Sequence, residues 1–257
     1  MSHNDLVIKN VSKTFEVNKS AVNVLDDVSI EIQSGEFICI VGHSGCGKST
    51  LLKIIAGLLE CNSGSVKLDG KVILAPDTDV GMIFQEHRLF PWLTVEENVA
   101  LGLDNISGDK RDRIVAEYLE LVKLTGFETA YPHQLSGGMA QRASIARSLV
   151  NNPKVLLLDE PFGALDALTR MQMQQEILRI WEKEKNTMIL VTHDIDEAIY
   201  LGDRVVVISS RPGRILDIFQ ISLQRPRDRA DALLSNLKKA IYSCFMPADH
   251  FAAKEIA

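Results

Sequence analysis

The run Gly42-His43-Ser44-Gly45-Cys46-Gly47-Lys48-Ser49 constrains this chain more than any other feature. It fits G-x-x-x-x-G-K-[ST] and stands between an apolar stretch ending at Val41 and a helical pattern beginning near Lys48, the context such a loop requires. Glycines permit backbone angles that a β-carbon forbids, so successive N–H groups can turn inward toward phosphate oxygens, and the helix start adds its positive end. Gly42, His43, Ser44, Gly45, Cys46, Gly47, Lys48, Ser49 and Thr50 are therefore the candidate phosphate cradle. Lys48 would reach the β- and γ-phosphates of a nucleotide and Ser49 would ligate Mg2+.

The flanking pattern agrees with such a loop. LVIKNV, VSIEI and FICIV (37–41) read as strands and STLLKIIAGLL as a helix, while VGMIF (80–84), KVLLLD (154–159), TMILVT (187–192) and RVVVI (204–208) read as further strands. The last three are apolar enough to be covered on both faces, which favours parallel pairing. Between Gln85 and Asn151 no strand is evident, and VEENVALGL, DKRDRIVAEYLELVKL and SGGMAQRASIARSLV read as helical. After Arg211-Pro212-Gly213 comes a strand, RILDIF, and then a tail helix with Leu233, Leu234, Leu237 and Ile241 expected to dock on the core. The expected fold class is α/β, a P-loop NTPase core with a mostly parallel sheet, an N-terminal antiparallel β part and an inserted helical subdomain. One domain spans 1–257, with 1–85 and 152–226 as nucleotide-binding core, 86–151 as helical subdomain and 227–257 as C-terminal helical tail.

Composition excludes some partners. The 257 residues carry a formal net charge of −6 with acids and bases interspersed, so no basic face for nucleic acid is expected. Cys39, Cys46, Cys61 and Cys244 show no C-x-x-C spacing and are expected to be plain packing or loop residues. No apolar run approaches the roughly 20 residues that span a bilayer, and MSHNDLVIKN lacks the order of a secretory signal, so contact with membranes is expected only through partners.

Three further positions carry candidate chemistry. The strand VLLLD ends in Asp159-Glu160, and ligands of a doubly wound sheet collect at strand carboxyl ends. Asp159 would hold Mg2+, directly or through water, and Glu160 would orient or deprotonate an attacking water. His193 closes TMILVT and could donate a hydrogen bond to the γ-phosphate. Gln85 follows VGMIF, and its amide could bind Mg2+ or the attacking water. Taken alone, a histidine at 193 is normally a packed or surface residue, and Gln85 is unremarkable.

Leu135-Ser136-Gly137-Gly138-Met139-Ala140-Gln141-Arg142 resembles the LSGGQ-type signature of ABC ATPases, with Met139 in place of the commoner glutamine. That variant is similar to importer ATPases for nitrate, sulfonates, taurine and related small solutes. The resemblance runs from about Leu6 to Arg227, with the motifs in family order. It implies two subunits, a homodimer or a pair with a close paralogue, facing head to tail. Each ATP would lie between one chain's Lys48 loop and the partner's Ser136, Gly137 and Gly138, and Ser136 would also cap its helix.

The same likeness implies that Phe15 stacks on adenine, although an aromatic there also suits the core. It makes His193 the switch histidine, Gly163-Ala164-Leu165-Asp166 the loop coupling the two sites, and 85–92, with Phe90 and Trp92, the surface that receives the membrane subunit. The expected function is ATP hydrolysis with ATP and Mg2+, powering ABC permease subunits that span the membrane, with a solute-binding protein as an indirect partner. The expected location is the cytoplasmic face of the inner membrane, and the expected cargo a small anion or organic solute such as nitrate, sulfonate or taurine. The alternative is a non-transport ABC ATPase acting mechanically on a macromolecular partner.

Overall fold

The computed structural model describes residues 6–103 and 106–246. Residues 1–5 of the expected core, 104 and 105 of the expected helical part, and 247–257 of the expected tail lie outside the described residues.

Two sheets and seven α-helices make up the described chain. The first sheet has the order β2-β1-β4-β5, antiparallel throughout, from β1 (Leu6–Val17), β2 (Ser20–Ile32), β4 (Ser63–Leu68) and β5 (Lys71–Val72). Asn18 and Lys19, at φ 52° and 63°, form the two-residue turn that joins β1 to β2, because left-handed angles at both positions match the twist of a tight hairpin. The second sheet has the order β10-β9-β3-β8-β7-β6, from β3 (Phe37–Val41), β6 (Val80–Ile83), β7 (Val155–Asp159), β8 (Thr187–Thr192), β9 (Arg204–Ile208) and β10 (Ile215–Gln220). All of its neighbours are parallel except β9 and β10.

Every residue of β3, β7 and β8 is buried, so the sheet has two cores rather than one. Phe37, Cys39, Val41, Leu156, Leu158, Met188 and Leu190 face a core shared with helices α2 (Val95–Ala100), α3 (Asp109–Leu121), α4 (Gly137–Leu149), α5 (Ala167–Glu184) and α6 (Ile195–Leu201). Ile38, Ile40, Val155, Leu157, Ile189 and Val191 face the other way, onto α1 (Lys48–Ile55) and the antiparallel sheet. Helices cover one face and α1 with the first sheet the other, as parallel strands require.

Between β6 and β7 the described chain holds α2, α3, α4 and two short 3-10 turns. Local sequence sets the starts of its helices. Thr94 and Glu97 form a reciprocal capping box on α2, and Ser136 Oγ accepts from Met139 N at the start of α4. Asn98, fully buried, accepts from Phe90 N and donates to the carbonyls of Phe90, Leu93 and Thr94, so the loop ahead of α2 is braced from within.

The tail helix α7 (Ala232–Ser243) buries Leu234 and Ile241 and packs Leu237 beside them. Leu233, expected on the same face, is instead 56% exposed, because Leu234, Leu237 and Ile241 define the stripe and Leu233 stands about 100° around the helix from Leu234. Lys238 pairs with Asp196 at the start of α6, while Arg229, just ahead of α7, stacks over Tyr200 near the end of α6. The two helices therefore run antiparallel, and α7 ends at the sheet edge where the phosphate loop lies.

Candidate nucleotide site

The loop from Gly42 to Gly47 leaves the carboxyl end of β3 and enters α1. Gly45 and Gly47 have φ of 77° and 105°, left-handed angles at which a side chain would strain the turn. At Gly47 a β-carbon would also stand 2.7 Å from Leu25 Cδ2.

Lys48 is 4% exposed, and its Nζ donates to Gly42 O at 2.8 Å and His43 O at 3.1 Å. No carboxylate lies within ion-pair distance of it among the described residues. A buried ammonium among neutral carbonyls is stabilised by an anion, so the loop fits a phosphate chain.

Ser49 and Asp159 come from different elements and meet here, Ser49 Oγ donating to Asp159 Oδ1 at 2.7 Å. Burial raises the Asp159 carboxyl above its ordinary range and the neighbouring Glu160 adds to that, opposed by the Ser49 hydroxyl and the charges of Lys53 and Lys48. Two hard oxygens side by side, one on a buried carboxylate, suit Mg2+, which takes few protein ligands and keeps phosphate oxygens and water for the rest.

Glu160 has φ 45°, unusual for a residue with a side chain, and its N–H donates to Val191 O at 3.0 Å. That turn sets its carboxylate 3.0 Å from Nδ1 of His193, which follows β8. The pair links the ends of adjacent strands β7 and β8. Thr192 Oγ1 donates to the buried carboxylate of Glu197 at 2.6 Å and accepts from Asp194 N, which holds the backbone on both sides of His193. Burial raises the Glu197 carboxyl to about 7.

Lys48, Ser49 and Glu160 border a cleft of about 480 Å3, while Asp159 and His193 stand behind its lining, bonded to Ser49 and Glu160. Lys48, Ser49, Thr50, Gln85 and Glu160 line one part of it, and Phe15 with Val17, Val22 and Val24 of the first hairpin makes an apolar wall. Phe15 is partly buried against the second core and carries Lys13 Nζ 5.2 Å from its ring centre, so it serves as both core flank and cleft wall. Among the loop residues, Ser44 and Gly45 also line the cleft, whereas Cys46 points into the core and His43 packs edge-on against Phe245, ring centres 5.0 Å apart. Arg211 reaches the cleft as well, which sequence reasoning did not assign; the only signal for it was the R-P-G-R turn after an apolar strand.

Ser136, Gly137 and Gly138 do not line the cleft. They open α4, with Gly137 near Leu165 and Gly138 so close to Thr169 that a β-carbon would stand 2.9 Å from its methyl group. The chain thus presents two anion-suited helix starts, at α1 and at α4, that do not face one pocket.

The sequence profile of the ABC transporter family matches residues 25–163. The aliphatic sulfonates import ATP-binding protein SsuB of Bacillus subtilis is 52% identical over 222 residues, 86% of this chain and 87% of that protein. The bicarbonate transport ATP-binding protein CmpD of Synechococcus elongatus is 48% identical over 230 residues, 87% of this chain and 82% of that protein. Among solved structures, the dimeric post-hydrolysis state of the ATP-binding cassette MJ0796 bound to ADP and Pi superposes with TM-score 0.74 at 35% identity, over 85% of this chain and all of that one. A cleft that joins a phosphate loop, a buried ammonium and a Ser–Asp oxygen pair, in a chain with relatives at this level of identity, leaves one assignment: this protein belongs to the ABC transporter family and is an ATP-binding, Mg2+-using ATPase.

Proposed function

We propose that this protein is the ATP-hydrolysing subunit of an importer, and that two copies, or one copy and a close paralogue, close head to tail around ATP to drive a small anion or organic solute through separate membrane subunits. The observation that carries this reading is the placement of the α4 start outside the chain's own cleft. Ser136 and the two glycine N–H groups behind it complete an anion site only if a second subunit brings its Lys48 loop to them.

On this reading residues 1–85 and 152–226 form the nucleotide-binding core, 86–151 the helical unit and 227–257 the tail. Lys48 and the loop N–H groups hold the phosphate chain, and Phe15 offers its ring to the base. Ser49 and Asp159, with Gln85, hold Mg2+, which when bound neutralises charge on the transferred phosphoryl group. Glu160 takes the proton of the attacking water, and His193 holds that carboxylate in line from the end of β8. Gln85 starts a loop that α4 grips directly: Arg147 donates to the carbonyls of Arg88 and His87, and His87 meets Gln141 at 2.9 Å. A change at Gln85 is therefore transmitted to the helix that Ser136 caps.

Phe90 and Trp92 lie on that same loop, 41% and 68% exposed, with ring centres 5.3 Å apart. Together they offer an aromatic anchor for the membrane subunits. No helix of the described residues is long and apolar enough to cross a membrane, which accords with a peripheral position on the cytoplasmic face of the inner membrane. The two relatives named for sulfonate and bicarbonate support a small, anionic cargo, a solute-binding protein is the indirect partner on this reading, and the net charge of −6 disfavours nucleic acid.

Mixing tests the shared site. Ser136→Arg chains and Lys48→Ala chains should each be nearly inactive alone, while mixed dimers keep one intact interface and lose both elements of the other. Random pairing then returns up to roughly a quarter of the wild-type ATPase rate. A mixture no more active than its parts, with no ATP-dependent dimer in light scattering, would show each chain working alone. The docking surface has its own test. Trp92→Ala should weaken co-purification with the permease by about 2 kcal/mol while ATP binding is retained. Attachment at wild-type strength in the folded variant would place the docking surface elsewhere.

A further inference from the structure

The turn after β9 is anchored against the phosphate loop from outside. Ser209 Oγ donates to Pro212 O at 2.7 Å and accepts from Arg214 N, closing the turn. Gly213 N donates to Val24 O at 2.8 Å and Gly213 O accepts from Asp26 N at 3.0 Å, which ties the turn to β2. At Gly213 a β-carbon would stand 2.3 Å from Cys46 O, so only glycine lets the turn press this closely on the loop.

The two arginines of this turn have different fates. Arg214 pairs with Asp26. Arg211 extends to the cleft, where its Nε donates to Gly45 O at 2.8 Å and its Nη2 lies close enough to stand 3.3 Å from a β-carbon at Gly45. Arg211 has no carboxylate partner among the described residues, whereas Arg204, Arg214 and Arg225 are paired with Glu36, Asp26 and Asp203. A guanidinium carries five N–H groups, and one neutral carbonyl uses one of them without offsetting the charge.

We propose that Arg211 is a second cationic nucleotide-binding residue, which binds the phosphate chain from the Gly45 side of the loop and adds to the charge of Lys48. This rests on the reading of the Lys48 cleft as the ATP site. Arg211 also fixes the Gly45 peptide in its left-handed turn through Nε, so ligand binding and loop shape are linked through one side chain.

The test uses the full chain, with MgADP binding by calorimetry at low and high chloride and steady-state ATPase. Arg211→Met should weaken MgADP about tenfold, the loss expected for one charge-assisted hydrogen bond, and should make the affinity less sensitive to salt. Arg211→Lys, which keeps charge but not the fork, should recover part of the affinity and the full salt dependence. KM for ATP should rise by a larger factor than kcat falls.

Unchanged MgADP affinity in Arg211→Met overturns the proposal. Equal losses in the Met and Lys variants with an unaltered salt dependence also overturn it, since Arg211 would then only shape the loop. Normal affinity with lost ATP-dependent dimerisation would assign the guanidinium to the partner subunit instead. Lys48→Ala separates the two levels of argument: if it binds MgADP normally, the cleft reading itself fails, whereas loss there with normal binding in Arg211→Met removes only Arg211. Should Arg211→Met not fold, Arg211→Lys carries the test through its affinity and salt dependence.

Discussion

Glu160→Gln is expected to bind MgATP and yet hydrolyse it at least about a hundredfold more slowly than the wild type. The substitution keeps the length of the side chain and one oxygen that can accept from His193 Nδ1, 3.0 Å away in the native pair, so the geometry at the ends of β7 and β8 is largely retained. It removes the basicity that an attacking water needs. Binding and chemistry should therefore separate, and ATP-loaded dimers should accumulate in light scattering because they close but do not turn over. Purified protein with near-wild-type turnover would take the role of base away from Glu160.

Lys48→Ala is expected to act at the earlier step, lowering MgADP affinity by more than about tenfold, with ATPase activity falling further still. The native ammonium is 4% exposed and satisfied only by neutral acceptors within the loop. Removing it relieves an uncompensated buried charge, so the nucleotide-free variant should melt at or above the wild-type temperature. The upward shift in melting temperature that nucleotide gives the wild type should meanwhile shrink sharply. Calorimetry with MgADP and melting curves with and without nucleotide check both halves. Native affinity would remove Lys48 from the phosphate site, and a markedly lower melting temperature would make it a structural brace.

Much of this arrangement is written in local sequence. A strand, a glycine-rich turn and a helix start are contiguous, so the Lys48 loop is visible before any tertiary contact is known, and Asp159 and Glu160 stand where an apolar strand turns polar. Other parts depend on contacts that no short window contains. β4 places only Val66 and Leu68 inward and contains Gly64, a weak pattern that takes meaning from its pairing with β1. Arg211 lies in an ordinary turn in sequence, and only the approach of Gly213 to Cys46 O carries it to the cleft. Asn98 reads as one polar residue in an amphipathic helix, although it braces the loop that bears Phe90. Phe15 is ambiguous in sequence because both readings hold at once, the ring packing on the core and the cleft opening beside it. Leu233 departs from expectation because the packed stripe of α7 has three members, Leu234, Leu237 and Ile241, and the spacing of four apolar residues alone does not say which one lies off it.

The two cores that share the parallel sheet have a consequence for its alignment. A strand with one wet face is held in register by polarity, since a slip of one residue would turn its apolar set to water. In β3, β7 and β8 no such penalty exists, because a slip would exchange Phe37, Cys39 and Val41 with Ile38 and Ile40, trading one oily set for another. Shape opposes the exchange in part, since the two interiors are filled by side chains of different size. The sharper constraint lies at the carboxyl ends. Slipping β7 inward would drag the Asp159 carboxylate between apolar layers, away from the Ser49 hydroxyl, and slipping β8 would pull Thr192 from Glu197. The residues at the nucleotide edge thus act as alignment pins for strands whose interiors cannot tell one offset from the next, and sheet register and site chemistry are specified by the same few polar groups.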